Sequence, residues 1–352
     1  MSYIQRAGVK AQALANAEGV NILAIESSCD ETAVAVVRDG TKLLSDAVYS
    51  QIDLHTLYGG VVPEIASRAH VEKIDMVVRT ALREAALSLQ EIDAIAVTCG
   101  PGLVGALLIG VSYAKGLAFA LDKPLIAVNH IEGHICANYL SAPDLRPPFL
   151  CLVVSGGHSH LLRVQEDDSY VLVGCTQDDA AGEAFDKAAR VLSIAYPGGP
   201  RLDTLAQMGD ASRFILPKPH TQGRYDYSFS GLKTAFVNLT HQMIQRGETL
   251  PQADLAASFR QAVVEQLCDK AMLAMQDTGE RVFALAGGVS ANRLLRQRMT
   301  QACAAHGFTL YMPELRFCGD NAAMIGSAAF KRLKHGQIAD LSLNANPSLR
   351  LV

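Results

Sequence analysis

The stretch NHIEGH at residues 129–134 carries the strongest chemical signal in the chain. His130 and His134 stand four residues apart, a spacing that puts both rings on one face of a helix. Two neutral imidazoles so placed are a common way to hold a divalent metal. A zinc protease of the H-E-x-x-H type carries its general base directly after the first histidine. Here that position is Ile131, and the acid, Glu132, comes one residue later. One residue on a helix is a rotation of about 100°, so Glu132 points away from where a protease base acts. The metal reading survives this shift; the protease reading weakens. With ten histidines in 352 residues, one such pair also arises by chance, so it must be judged by its company.

Several segments could supply that company. Asp320, in FCGDN at 317–321, is either the N-cap of a last helix or a carboxylate completing a His-His-Asp set. Two histidines and one carboxylate with open positions suit Fe(II) or Zn(II). The polar turn at 27–32 carries adjacent acids, Asp30 and Glu31. They are either turn formers or acids that position a metal or a nucleophile. Two glycine turns could hold an anion on backbone N–H groups. SGGH at 155–158 lies between two strands, where a plain glycine hairpin is the competing reading. GGVSAN at 287–292 follows a strand and precedes a helix, a common anion-binding order, with Ser290 as the expected N-cap. Residues 178–187 place four acids and a lysine around a helix start. Acids are expected there for the helix dipole alone, an argument that covers Asp186, inside the helix, least well. YPGGP at 196–200 reads as a rigid turn, followed by Asp203, which could accept hydrogen bonds from sugar hydroxyls.

The elements that must position these residues follow from the hydrophobic pattern. Strands are expected at 20–26, 32–38 and 42–51, with a hairpin turn at Asp39-Gly40, which implies an antiparallel meander. Helical period covers 63–89, then strand 92–98, a glycine turn, a helix to about 121, and strand 124–129 leading into the histidine helix. After a proline-rich patch at 143–148 the pattern restarts. Strands at 149–154, 159–165 and 170–175 precede a helix at 182–192. A long helix at 254–277, strand 282–286, a helix ending near Gly307, strand 309–312 and a helix at 321–335 complete the chain. A meander followed by helix–strand alternation thus occurs twice, without shared sequence. The expected fold is α/β, two-lobed, of the actin, Hsp70 and sugar-kinase type with a central cleft. Its expected division is an N-terminal extension at 1–19, disordered or a short helix; lobe I at 20–129 plus 315–352; and lobe II at 130–314.

Composition sets limits on function. Charged residues make up 19% and the net charge is −4, unlike a dedicated nucleic-acid binder, although local basic patches count for more than the total. Two such patches are candidates: Arg293, Arg296 and Arg298, and Lys331, Arg332 and Lys334; each could equally be a solvated helix face. Eight cysteines include no C-x-x-C pair, and several sit in apolar runs, which favours a reducing cytoplasm. No segment reads as a signal peptide or a membrane span.

Taken together, ten motifs in order resemble the tRNA N6-adenosine threonylcarbamoyltransferase family, in its bacterial form, long labelled O-sialoglycoprotein endopeptidases. They are ESSCDET at 26–32, YGGVVPE at 58–64, GPGLVG at 100–105, HIEGH at 130–134, SGGH at 155–158, GEAFDK at 182–187, YPGGP at 196–200, FSGLKT at 229–234, AGGVSAN at 286–292 and GDN at 319–321. The resemblance implies transfer of the L-threonylcarbamoyl group from threonylcarbamoyl-AMP to N6 of adenosine 37 in tRNAs reading codons that begin with A. It implies one divalent metal, Fe(II) before Zn(II), on His130, His134 and Asp320. It implies that Val153, Val154, Ser155, Gly156, Gly157, Asp186, Gly199, Asp203 and Asn292 contact the adenylate, with the catalytic acids Asp30 and Glu31 facing the metal. The implied partners are tRNA, an inactive paralogous subunit pairing through lobe I, a small P-loop ATPase and a separate threonylcarbamoyl-AMP synthase, with no membrane. Two other readings stand beside it. A metal-dependent glycoprotein endopeptidase would leave the glycine turns without a role, and a non-catalytic actin-like nucleotide-binding protein would bind nucleotide without transfer. A sugar kinase gives the histidine pair no purpose.

Overall fold

The computed structural model describes residues 1–352 and divides into two compact units, residues 1–145 with 313–351 and residues 146–312. In the first, β1 (Asn21–Glu26), β2 (Glu31–Arg38) and β3 (Lys42–Ser50) form an antiparallel meander. A short helix α2 (Ile52–Thr56) and the long α3 (Pro63–Ala85) lead to β4 (Ala94–Gly100), α4 (Val104–Ala120), β5 (Leu125–Asn129) and α5 (His130–Ser141). β4 and β5 pair in parallel beside β1, giving the order β3-β2-β1-β4-β5. All six residues of β1 are buried, because helices cover both faces of the sheet. Leu23, Ile25, Val34 and Val36 pack with residues of α3 and α4. Ala24 and Val37 face α11 (Ala322–Lys334).

The second unit repeats this order without repeating the sequence. β6 (Phe149–Val154), β7 (Ser159–Val164) and β8 (Tyr170–Cys175) form its meander. α6 (Ala181–Val191), α7 (Gly198–Leu205), α8 (Ser230–Gln245) and α9 (Gln252–Thr278) follow, then β9 (Val282–Ala286), α10 (Arg293–His306) and β10 (Thr309–Tyr311). The sheet order β10-β9-β6-β7-β8 matches that of the first unit strand for strand, with β9 and β10 parallel to β6. In each sheet the order reverses beside the first strand of the meander. The carboxyl ends of parallel strands at such a switch point are where α/β sheets bind ligands. The core under the second sheet is aromatic, with Phe185 and Phe236 both packed against Phe259.

The structure departs from the sequence expectations at several points. Residues 1–19 are not disordered: α1 (Tyr3–Leu14) buries Tyr3, Ala7 and Ala11. It is pinned by Arg6 and Lys10 to Asp122, at 2.9 and 2.7 Å, and by the Tyr3 hydroxyl donating to the Lys123 carbonyl. The first unit runs to Leu145, not to residue 129, because α5 packs on α11. A Cβ at Gly133 would stand 2.7 Å from the Ile325 Cδ1 methyl, so a larger residue there would have to displace side chains of α11. The expected turn at 196–200 is the start of α7. Ser290 is not a helix cap: it is the one buried residue of a 3-10 turn at Gly288–Ala291, and Asn292 caps α10 by accepting from the Leu295 amide.

Candidate active site

The two histidines sit on the first turns of α5, as their spacing required. β5 ends at Asn129, whose side chain accepts from the Ile131 amide at 2.8 Å and starts the helix. Their ring centroids lie 4.6 Å apart and neither residue is exposed beyond 6%. Asp320 reaches them from the start of α11. It is not the cap of that helix: Asn321 takes that place by accepting from the Met324 amide at 2.9 Å. Asp320 Oδ1 lies 3.5 Å from His130 Nε2 and 3.4 Å from His134 Nε2, and the three ligand atoms fall within 4.8 Å of one another. Bond lengths of about 2.0–2.2 Å from a metal to nitrogen or oxygen place neighbouring ligand atoms at such separations. Fully buried, His134 makes no hydrogen bond of acceptable geometry from either ring nitrogen. A buried polar group without such a bond is costly. The donor set and the orphaned imidazole therefore fit a divalent cation.

A residue missed by the sequence reading backs this triad. Glu26, at the end of β1, is completely buried. Its carboxylate accepts from the Ser28 amide and the Thr98 hydroxyl, each at 2.5 Å, and lies 3.2 Å from His130 Nδ1. A carboxylate on Nδ1 makes that nitrogen the proton carrier and turns the Nε2 lone pair toward the site. The signal was present as a lone acid closing the apolar run NILAIE, but such an acid also reads as a strand terminator. Burial disfavours charge on His130, yet Asp320 and then Glu26 outweigh it and push its pKa up to about 9. The same imbalance of negative charge favours a bound cation.

Asp30 closes the turn between β1 and β2, and Glu31 is the first residue of β2. Burial, with Asp30 and Asp320 adding to it, pushes the Glu31 carboxyl up to about 9, and Ser50 donates to it at 3.1 Å. Burial also pushes the Cys29 thiol far up, so it is no nucleophile. Glu132 is engaged elsewhere: Arg332 holds it at 2.6 and 2.7 Å, and it is 5% exposed. It is not placed to serve as a protease's base.

In the second unit the expected contact residues form a linked series. Val153 and Val154 are fully buried in β6, so only their backbone could meet a ligand. Ser155 is buried beyond them, and Gly156 and Gly157 are exposed at the turn. The Gly182 amide at the start of α6 donates to the Ser155 carbonyl at 3.2 Å. A Cβ at Gly182 would stand 2.5 Å from that oxygen, so glycine allows the helix start to abut the turn. One helical turn later, Asp186 Oδ1 accepts from the amides of Gly198 and Gly199, at 3.0 and 2.9 Å. It thereby caps α7, which carries Asp203. Buried Arg260 holds Asp203 Oδ1 at 2.9 Å, while the Arg293 amide, next to Asn292, donates to Oδ2 at 3.3 Å. The glycine turn, α6, α7 and the start of α10 are thus joined by hydrogen bonds through the expected residues.

The basic candidates are largely engaged within the fold. Arg332 pairs with Glu132, Lys331 bonds Tyr139, and Lys334 donates to the Ala15 carbonyl. Arg293 bonds Gln207, and Arg296 donates to the Ser290 carbonyl. No helix is long and apolar enough to cross a membrane.

Two sheets of identical order, each with polar or glycine turns at its switch point, define an α/β protein of the actin, Hsp70 and sugar-kinase class. Solved structures agree on the fold. Full-length HypF in a phosphate- and nucleotide-bound form matches 90% of this chain and 47% of its own, with a TM-score of 0.60 at 15% identity. Component A of the (R)-2-hydroxyglutaryl-CoA dehydratase of Acidaminococcus fermentans matches 89% and 99%, with a TM-score of 0.54 at 12% identity. A family model described as tRNA N6-adenosine threonylcarbamoyltransferase matches residues 42–327. Proteins of that name from Caldicellulosiruptor saccharolyticus and Clostridium perfringens are 50% and 52% identical over 331 residues, covering 94% of this chain and 98% of each relative. The chain belongs to the tRNA N6-adenosine threonylcarbamoyltransferase family.

Proposed function

We propose that this protein transfers the L-threonylcarbamoyl group of threonylcarbamoyl-AMP to N6 of adenosine 37 in tRNAs reading codons that begin with A. The observation that carries this reading is family membership across 94% of the chain. The amine N6 attacks the carbamoyl carbon, the bond from that carbon to the phosphate oxygen breaks, and AMP leaves with the electron pair. The substrate is already an activated anhydride, so no protein nucleophile is required, in keeping with the raised Cys29 thiol. Exocyclic adenine nitrogen is a weak nucleophile, and holding it against the carbonyl is where most of the rate gain arises.

His130, His134 and Asp320 would hold one divalent metal, Fe(II) first and Zn(II) second. When bound, it supplies Lewis-acid polarisation and orientation of phosphate and carbonyl oxygens. Glu26 orients His130, and Glu31 faces the metal side beside Asp30. Taking up the amine proton is assigned to Asp30. Adenylate binding is assigned to the second unit: the backbone at 153–157 for phosphate, and Asp203 and Asn292 for the nucleoside, with Asp186 and Gly199 shaping α7. The partners we propose are an inactive paralogous subunit, a small P-loop ATPase and a separate synthase that supplies the intermediate, all cytoplasmic. The test supplies threonylcarbamoyl-AMP, tRNA and partners, digests the tRNA and quantifies the modified nucleoside by mass spectrometry. Wild type is expected to form it and Asp320→Ala to lose it. Glycoprotein cleavage abolished by His130→Ala, with no modified nucleoside, would instead revive the protease reading.

A further inference from the structure

The turn that carries the two acids is gripped from behind by a buried histidine. His70, on α3, has no exposed surface. Its Nε2 lies 2.9 Å from the Cys29 carbonyl and its Nδ1 lies 2.7 Å from Thr32 Oγ1. A carbonyl only accepts, so Nε2 carries the proton. Burial lowers the pKa of the ring, which leaves Nδ1 to accept from the Thr32 hydroxyl. Cys29 and Thr32 are the residues on either side of Asp30 and Glu31. One rigid ring therefore spans the base of the turn.

Neighbouring bonds complete the grip. The Leu103 amide donates to the Ser28 carbonyl at 2.7 Å, and the Gln51 amide to the Asp30 carbonyl at 3.0 Å. A second fully buried histidine, His55, fixes Gln51. It accepts from the Val62 amide on Nδ1 and faces Gln51 Oε1 with Nε2, each at 3.3 Å. Neither histidine belongs to the metal triad. A turn needs only good turn residues to form; two completely buried histidines are more than turn formation requires.

We propose that His70 is a positioning residue for threonylcarbamoyl transfer, fixing the direction of the Asp30 and Glu31 carboxyl groups by holding the residues that bracket them. The inference rests on the role proposed above for those two acids. Supporting partners of reacting groups typically contribute about 10–100-fold, and small misplacements are costly for the same reason. His70→Leu keeps the volume and removes both bonds. Its kcat is expected to fall about 10–100-fold, with metal affinity and the KM for threonylcarbamoyl-AMP within about threefold of wild type. His70→Gln, whose amide offers one donor and one acceptor, is expected to recover most of the loss. Thr32→Val removes one of the two bonds and serves if His70→Leu does not fold, with an expected loss of about three- to tenfold. Amide hydrogen exchange supplies a readout independent of activity: exchange at Gln51 and Leu103 is expected to rise at least about tenfold in His70→Leu at unchanged global stability. Unchanged exchange, or a lower Tm with wild-type kcat per folded molecule, overturns the proposal. If wild type forms no product while exchange still rises in the variant, the grip stands and the proposed function falls.

Discussion

Glu26→Gln removes a charge from the centre of the site at almost no change in volume. The wild-type carboxylate accepts from two directions, the Ser28 amide on Oε1 and the Thr98 hydroxyl and His130 Nδ1 on Oε2. A glutamine has one acceptor oxygen and one amide nitrogen. If its oxygen faces Ser28, its NH2 faces His130 and drives the proton to Nε2, which then cannot bind a metal. If its oxygen faces His130, its NH2 opposes the Ser28 N–H, and a buried donor loses its partner at about 1–3 kcal/mol. Either arrangement degrades the site. Replacing a partner of a metal-binding histidine typically weakens metal affinity about 10–100-fold, or about 1.4–2.7 kcal/mol. Competition with a chromophoric chelator, using Zn(II) and anaerobic Fe(II), measures this directly, with circular dichroism confirming the fold. Glu26→Gln binding within twofold of wild type would falsify the carboxylate–histidine–metal argument.

Three further expectations concern stability. Arg260→Met leaves the Asp203 carboxylate buried without its cation, the pair being only 11% and 12% exposed. It should cost about 3–5 kcal/mol in denaturant unfolding and raise the KM for the nucleotide substrate. Burial, partly opposed by Arg316 and aided by Glu84, raises Asp46 to about 6. Its stabilising effect is therefore full below about pH 3.9, the unfolded value, and is lost as pH rises through 6. Asp46→Asn should raise the melting temperature at pH 7.5 and leave it near wild type at pH 4; an equal shift at both values contradicts the assignment. Deleting residues 1–17 removes the buried face of α1 and its ties to Asp122 and Lys123. The melting temperature should fall by several degrees, with metal affinity unchanged in the chelator assay.

Much of the fold could be read from the chain because local pattern and global topology agree. Alternating and apolar runs located all ten strands, and the repeated meander gave the architecture. Apart from the helices α7 and α8, which lie in a stretch where the expected pattern names no element, what escapes depends on contacts across the chain. A boundary at 129 falls where a strand ends, but α5 belongs with α11, and no periodicity of residues 130–141 announces a partner nearly two hundred residues away. Residues 1–19 looked loose because alanines bury little surface, and the tie to Asp122 is invisible in sequence. The caps fall two residues beyond Ser290 and one beyond Asp320, at Asn292 and Asn321, because asparagine caps as well as serine or aspartate does. The His-His-Asp set was legible through residue chemistry. Glu26 and His70 were not, since their roles depend on what a buried side chain faces.

The most direct measurement uses threonylcarbamoyl-AMP labelled in the carbamoyl carbon, metal-loaded protein with its partners, and one tRNA carrying adenosine or guanosine at position 37. Label is expected on the adenosine tRNA alone, at position 37, with one AMP released per label transferred, and transfer is expected to be lost in His134→Ala. AMP release without labelled tRNA, or equal labelling of both tRNAs, would contradict this.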